Sequence, residues 1–103
     1  MTTSEKHNWV KNVEDLRDFI SYMVLYAPNE FPVEDYLEKH EQMNLEKAFK
    51  EVSRGLELIK EREPQAQIDV FEKIVKESKE NYEAGNDIKG AHLLQELESL
   101  IFK

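Results

Sequence analysis

Apolar side chains recur at every third or fourth position through four stretches of this chain, which is the spacing of one face of an α-helix. The first stretch lies between residues 13 and 27, and the others begin near residues 45, 65 and 87. Only three glycines and three prolines interrupt the 103 residues, and the breaks between the stretches are short. Short connections favour antiparallel neighbours, so the sequence predicts an all-α fold, a compact antiparallel bundle of four main helices.

Polar caps and helix breakers mark the ends of these stretches. Asn12 and Asn44 are placed to cap the starts of the first and second main helices. Pro28 ends the first helix, because the residue before a proline avoids the helical conformation. Pro64 marks the break before the third helix, and Gly85 suits the left-handed position that ends it.

Two further details follow from the same pattern. A short extra helix is predicted after the first one, from Val33 to about His40, since a proline at position 32 suits a helix start. Asp87 is predicted to cap the last helix. We expect that helix to be the most buried, because its apolar stripe is widened by further apolar residues, namely Leu93, Leu100 and Phe102. The chain is predicted to form a single domain, 1–103, with a flexible or loosely packed segment at 1–11.

Composition excludes several classes of function. The chain has 22 acidic and 14 basic residues, a net charge of −8, and no cysteine. It therefore has no disulfide, no cysteine-based zinc site and no thiol nucleophile. Phosphate backbones repel a chain this acidic, so we expect no nucleic-acid partner. The longest apolar run is Met23–Ala27 and the start lacks an apolar signal core, which predicts a cytoplasmic protein with no membrane partner.

No group of residues forms a recognisable catalytic or metal-binding motif. The histidines His7, His40 and His92 have no ligand spacing, and no acidic residue precedes the last two by three positions. His92 is expected to be a partly buried structural residue. There is no glycine-rich phosphate loop and no serine in a nucleophile turn. We therefore predict a protein that is not an enzyme, with no catalytic residues, cofactor or metal.

The negative charge is concentrated ahead of the second main helix. Residues 28–41 carry five carboxylates and one lysine, a net charge of −4, which is half of the total. Six of the ten aromatic residues lie between Trp9 and Tyr36. Aromatic side chains among carboxylates suit a surface that binds a basic protein. The predicted partner-binding residues are Tyr22, Tyr26, Glu30, Phe31, Glu34, Asp35, Tyr36 and Glu38.

Two structural explanations compete with this interpretation. The aromatic residues of the connector can pack back onto the bundle, more readily Phe31 than Tyr36. The carboxylates can also serve solubility alone, which is a common reason for an acidic surface.

The stretch Tyr26–Tyr36, together with the length, the predicted helices and the acidic surface, resembles a known class. The whole chain is similar to the small acidic helical immunity proteins of bacterial competition systems, of the colicin type or of contact-dependent growth inhibition. The resemblance implies a cytoplasmic protein that binds a basic toxin domain, often a nuclease, and blocks its active site or an adjacent surface. It assigns no individual residue a role, because these families differ widely in sequence and binding mode.

Two other functions remain open at the level of sequence. A helical adaptor or homodimerising regulator would expose Leu93, Leu100 and Phe102 in the monomer. A bundle enzyme or metal protein would bring His40 or His92 next to carboxylates in a cleft. The oligomeric state is expected to be a monomer, with a homodimer as the alternative.

Overall fold

The computed structural model describes residues 9–102 and contains four α-helices. The connection between the first two, residues 27–44, is long, whereas the other two connections are short. Each helix packs against the next one along the chain, and the fourth also packs against the first, which closes the bundle. No strand occurs between residues 9 and 102. The predicted all-α bundle is therefore confirmed. Its helices are α1 (Val13–Tyr26), α2 (Leu45–Ile59), α3 (Gln65–Glu83) and α4 (Asp87–Ile101).

The apolar stripes of the four helices meet in one core. Each helix contributes side chains that are fully shielded from solvent, and each such side chain stabilises the fold by about 1.5–3 kcal/mol relative to exposure. The apolar residues that recur at helical spacing in the sequence therefore face the core, as expected. The most deeply buried apolar residues include Leu16, Ile20, Met23, Ile59, Ile68, Phe71, Leu94 and Leu97.

Three predicted helix ends are present. Asn12 Oδ1 accepts a hydrogen bond of 2.8 Å from the backbone N–H of Asp15, and Asn44 Oδ1 accepts one of 2.8 Å from Lys47. Each bond satisfies a donor that the first helical turn cannot pair. Gly85 has a φ of 86°, and the N–H beyond it, on Asn86, donates to the carbonyl of residue 81. This arrangement closes the C-terminus of α3.

The short extra helix is smaller and lies later than predicted. It is a single 3-10 turn, Lys39–Glu41, and the residues from Val33 to Glu38 are not helical. The side chain of Gln42 binds backbone groups of this segment, which supplies an alternative to helical hydrogen bonds. The Ala27–Pro28 peptide bond at the start of this connection is cis.

Two expectations about α4 are wrong. Asp87 is its first residue, and the cap position belongs to Asn86, whose side chain makes no capping bond. The most buried helix is α2, with seven buried residues against four in α4. Each helix packs against two others, but α2 also receives the segment that precedes α1.

That preceding segment is fastened by a buried carboxylate. Glu51 on α2 is only 8% exposed, and its Oε1 accepts hydrogen bonds from the backbone N–H groups of Trp9 (3.1 Å) and Val10 (3.0 Å). The Nε of Arg54 lies 3.6 Å from the same oxygen. Val10, which lies inside the segment 1–11 for which loose packing was predicted, is fully buried. Residues 1–8 lie outside the described part of the chain.

Two glycines let helices approach closely. A Cβ atom on Gly55 of α2 would lie 2.9 Å from Leu16 Cγ of α1 and closer still to one of its methyl groups. A Cβ atom on Gly90 of α4 would lie 2.7 Å from the Tyr82 ring of α3. The Ser78 hydroxyl donates a 2.8 Å hydrogen bond to the Gly90 carbonyl at the same crossing. The distances between helices therefore depend on these positions having no side chain.

Candidate functional site

An aromatic cluster centred on Tyr22 lies beside the connection between α1 and α2. The Tyr22 ring centroid is 5.4 Å from those of Trp9 and Phe19, 5.1 Å from that of Tyr26 and 5.6 Å from that of Phe31. These spacings fall in the favourable range for aromatic pairs. The structure thus brings together three of the predicted partner-binding residues, and it seats Phe31 on the bundle through them.

The hydroxyl of Tyr22 is buried and has no hydrogen-bond partner among the described residues. Burial raises the pKa of Tyr22 above its ordinary value, and the carboxylate of Glu34 raises it further. The neighbouring phenols of Tyr26 and Tyr36 act in the same direction. Glu34 and Tyr36 are therefore close enough to the cluster to interact with it electrostatically.

The acidic loop, defined here as residues 28–41, has a fixed backbone. Gln42 Oε1 accepts a 2.9 Å hydrogen bond from the Glu34 N–H. Gln42 Nε2 donates to the carbonyls of Glu34 and Leu37, both at 2.9 Å. Lys47 Nζ donates to the backbone carbonyls of His40 and Gln42. Side chains thus provide the partners that a helix or strand would otherwise give to this backbone.

We expect Gln42→Ala to loosen the acidic loop, because the variant loses three hydrogen bonds at once. Amide hydrogen exchange at Glu34 should accelerate by about tenfold or more, and the free energy of unfolding should fall by about 1–2 kcal/mol. Gln95→Ala on the exposed side of α4 is the matched control and should change neither quantity. Unchanged exchange at Glu34 in the Gln42 variant would show that this side chain does not hold the loop.

Two large apolar side chains of the acidic loop and one at the end of α1 are strongly exposed, as is Ile88 at the start of α4. Val33 is 78% exposed and Tyr36 is 71% exposed, and Leu25 on α1 is also 71% exposed. The exposed carboxylates are those of Glu30, Asp35 and Glu38, and they form no ion pair with any described residue. Solvent exposure therefore separates the predicted residues into two groups. Tyr22, Tyr26, Phe31 and Glu34 are half-buried, whereas Glu30, Asp35, Tyr36 and Glu38 face solvent.

Sequence reasoning missed two members of this surface. Leu25 lies off the buried stripe of α1 formed by Leu16, Ile20 and Met23, and that displacement is a usable indication of exposure. Val33 stands in a connector with no periodicity, so nothing in the sequence distinguishes it from a core residue.

The histidines do not assemble a site. His40 and His92 are both exposed, and no group of three or more His, Cys, Asp or Glu residues within positions 9–102 could hold a metal ion. The expected partial burial of His92 is wrong, because it lies two positions from both Gly90 and Leu94 and therefore on the opposite side of α4. His7 lies outside the described residues.

The residues that the adaptor hypothesis needs to be exposed are half-buried. Leu93, Leu100 and Phe102 pack against the edge of the core. The guanidinium of Arg17 lies over the Phe102 ring, 5.7 Å from its centroid. These contacts give no specific support to a dimer built on α4.

No family model matches this chain, and no curated protein or solved structure matches it either. Between residues 9 and 102 there is no helix with the length and apolar character required to cross a bilayer.

Proposed function

We propose that this protein is a non-enzymatic immunity protein of the cytoplasm that binds and neutralises a basic toxin domain, with a nuclease as the preferred class of target. The observation that carries the proposal is the acidic loop. Exposed apolar side chains, Val33 and Tyr36, stand there among the exposed carboxylates of Glu30, Asp35 and Glu38, which form no ion pair with the described residues. The resemblance in length, charge and helical content to bacterial immunity proteins supports the same function.

The exposed apolar residues support a protein partner in particular. Large apolar side chains in water are unfavourable for an isolated protein, and aromatic residues ringed by polar groups are typical anchors of interfaces. Tyr36 offers both a large ring and a hydroxyl. Because Gln42 already fixes the backbone at Glu34 and Leu37, binding would require little ordering of this loop, which favours affinity.

The charge of the acidic loop supports a basic partner. A net charge of −4 over 14 residues attracts lysine and arginine side chains and steers their approach. Carboxylates on a fixed backbone can also occupy positions that phosphates of a nucleic acid take on a nuclease. Inhibition would then follow from occlusion of the toxin's substrate surface and would require no catalysis.

The proposal is tested with the protein encoded by the preceding gene in the native genome. That protein, or its C-terminal domain, should be toxic when produced alone and harmless when this chain is produced with it. Purified samples of the two should form a stable complex by isothermal titration calorimetry. Toxicity that persists in the presence of this chain, together with no measurable binding, would reject the immunity function.

Reversal of charge in the acidic loop should weaken that complex. We expect Glu34→Lys combined with Asp35→Lys to slow association by about tenfold or more at low salt, since steering depends on complementary charge. The control, Glu80→Lys with Glu83→Lys, makes the same change in net charge at exposed positions of α3. Stopped-flow or surface plasmon resonance measures the rates, and circular dichroism checks the fold. An unchanged affinity at low salt would reject this surface.

A further inference from the structure

A second surface of this acidic protein carries clustered positive charge. A groove of about 590 Å³ runs between α2 and α3. Leu56 and Val75, both buried, form its apolar floor. The side chains around that floor are Lys50, Ser53, Arg54, Glu57, Glu72, Lys76 and Lys79. The groove is formed by α2 and α3, and none of its lining residues belongs to the acidic loop.

The positions of the lining residues in the sequence indicate which charged side chains lie at each end of the groove. On each helix they recur at intervals of three and four, which places them on one face. On both helices the lining residues farthest along the chain from the connection at 60–64 are lysines, Lys50 and Lys79, and those nearest to it are Glu57 and Glu72. Arg54 and Lys76 lie between these positions. One end of the groove is therefore cationic and the other is acidic.

The acidic end is partly neutralised within the chain, whereas the cationic end is not. Lys60 Nζ lies 2.6 Å from the carboxylate of Glu57. Among the cations, only Arg54 has a carboxylate within ion-pair distance, and that carboxylate, Glu51, is shared with two backbone N–H groups. Lys50, Lys76 and Lys79 form no ion pair with the described residues. Like charges gathered at one end of a groove repel one another, and an anion bound among them would relieve that repulsion.

We propose that this groove binds a small organic polyanion that carries linked phosphate groups. The four cations supply charge and hydrogen-bond donors for the phosphates, and Arg54 can bind two oxygens at once. Leu56 and Val75 supply an apolar floor for the organic part. The volume suits a small ligand rather than a macromolecule. An extended nucleic acid would meet the acidic remainder of a surface with a net charge of −8.

Titration calorimetry with inorganic triphosphate at low salt tests the proposal. Wild-type protein should bind it, and Lys50→Gln combined with Lys76→Gln should weaken binding by about tenfold or more, because each lost charge removes a charge-assisted hydrogen bond. Lys73→Gln with Lys89→Gln is the matched control, since both lysines are exposed and lie outside the groove. The control variant should bind like the wild type, and all affinities should fall as salt is raised.

A second series distinguishes the ligand classes. A nucleoside triphosphate should bind more tightly than inorganic triphosphate, because only the former has an organic part to contact the floor. No binding of either compound, or equal binding by both double variants, would overturn the proposal. Binding of an oligonucleotide without binding of triphosphate would also overturn it. The Glu34→Lys and Asp35→Lys variant should bind triphosphate at least as well as the wild type, which keeps this test independent of the immunity function.

Discussion

Leu16→Ala is expected to lower the free energy of unfolding by about 2–5 kcal/mol, the range typical of a large cavity in a packed core. Leu16 is fully buried, and its side chain fills the space that the missing side chain of Gly55 leaves on α2. The loss should therefore lie toward the upper part of that range. Urea denaturation followed by circular dichroism measures it.

The pair Leu16 and Gly55 should also show strong coupling. Gly55→Ala alone is expected to destabilise the protein by about 1–3 kcal/mol, although alanine favours helix formation, because the added methyl group collides with Leu16. In the Leu16→Ala background the same methyl group enters the cavity, so its cost should shrink by about 1–2 kcal/mol. Ser53→Ala, at an exposed position of α2, is the control for placing an alanine in this helix without a steric collision. Strict additivity of the two changes would contradict the close approach of α1 and α2 at this point.

Glu51→Ala is expected to destabilise the protein by about 3 kcal/mol. The variant leaves the buried N–H of Val10 and the half-buried N–H of Trp9 without their acceptor, and each unpaired group costs about 1–3 kcal/mol. Glu51→Gln keeps an acceptor oxygen at the same place and loses only the charge. It should therefore retain about half or more of the stability that Glu51→Ala loses. Denaturant titration compares the two variants. Equal destabilisation by alanine and glutamine would show that the charge, not the acceptor, matters.

The helices could be predicted from sequence because their determinants are local. The spacing of apolar residues predicts which face of each helix is buried. Asn12 and Asn44 bind the backbone N–H groups three residues later in the chain, so both caps can be predicted from the local sequence. The error at Asp87 is of the same local kind, a shift of the cap by one residue to Asn86.

The features that could not be predicted depend on contacts between distant residues. Glu51 stands in a helical pattern as one more surface carboxylate, and only its contact with residues 41 and 42 positions earlier makes it a buried anchor. The acidic loop likewise takes its conformation from Gln42, which outweighs the local preference for a short helix at 33–40. Charge and aromatic content identified this loop as the candidate site, but the exposure of Val33 and Leu25 required the tertiary structure.

The packing of Trp9 against Tyr22 provides an intrinsic fluorescent probe of this part of the protein. Trp9 is the single tryptophan of the chain, and its ring touches the aromatic cluster that Phe31 links to the acidic loop. Excited tyrosines at such distances transfer energy to the indole, so the emission of one side chain responds to the whole cluster. The wavelength and intensity of the Trp9 emission should change when the segment held by Glu51 is released, and also when a molecule binds to the acidic loop. Binding and unfolding can therefore be followed in the unlabelled chain, without an attached dye.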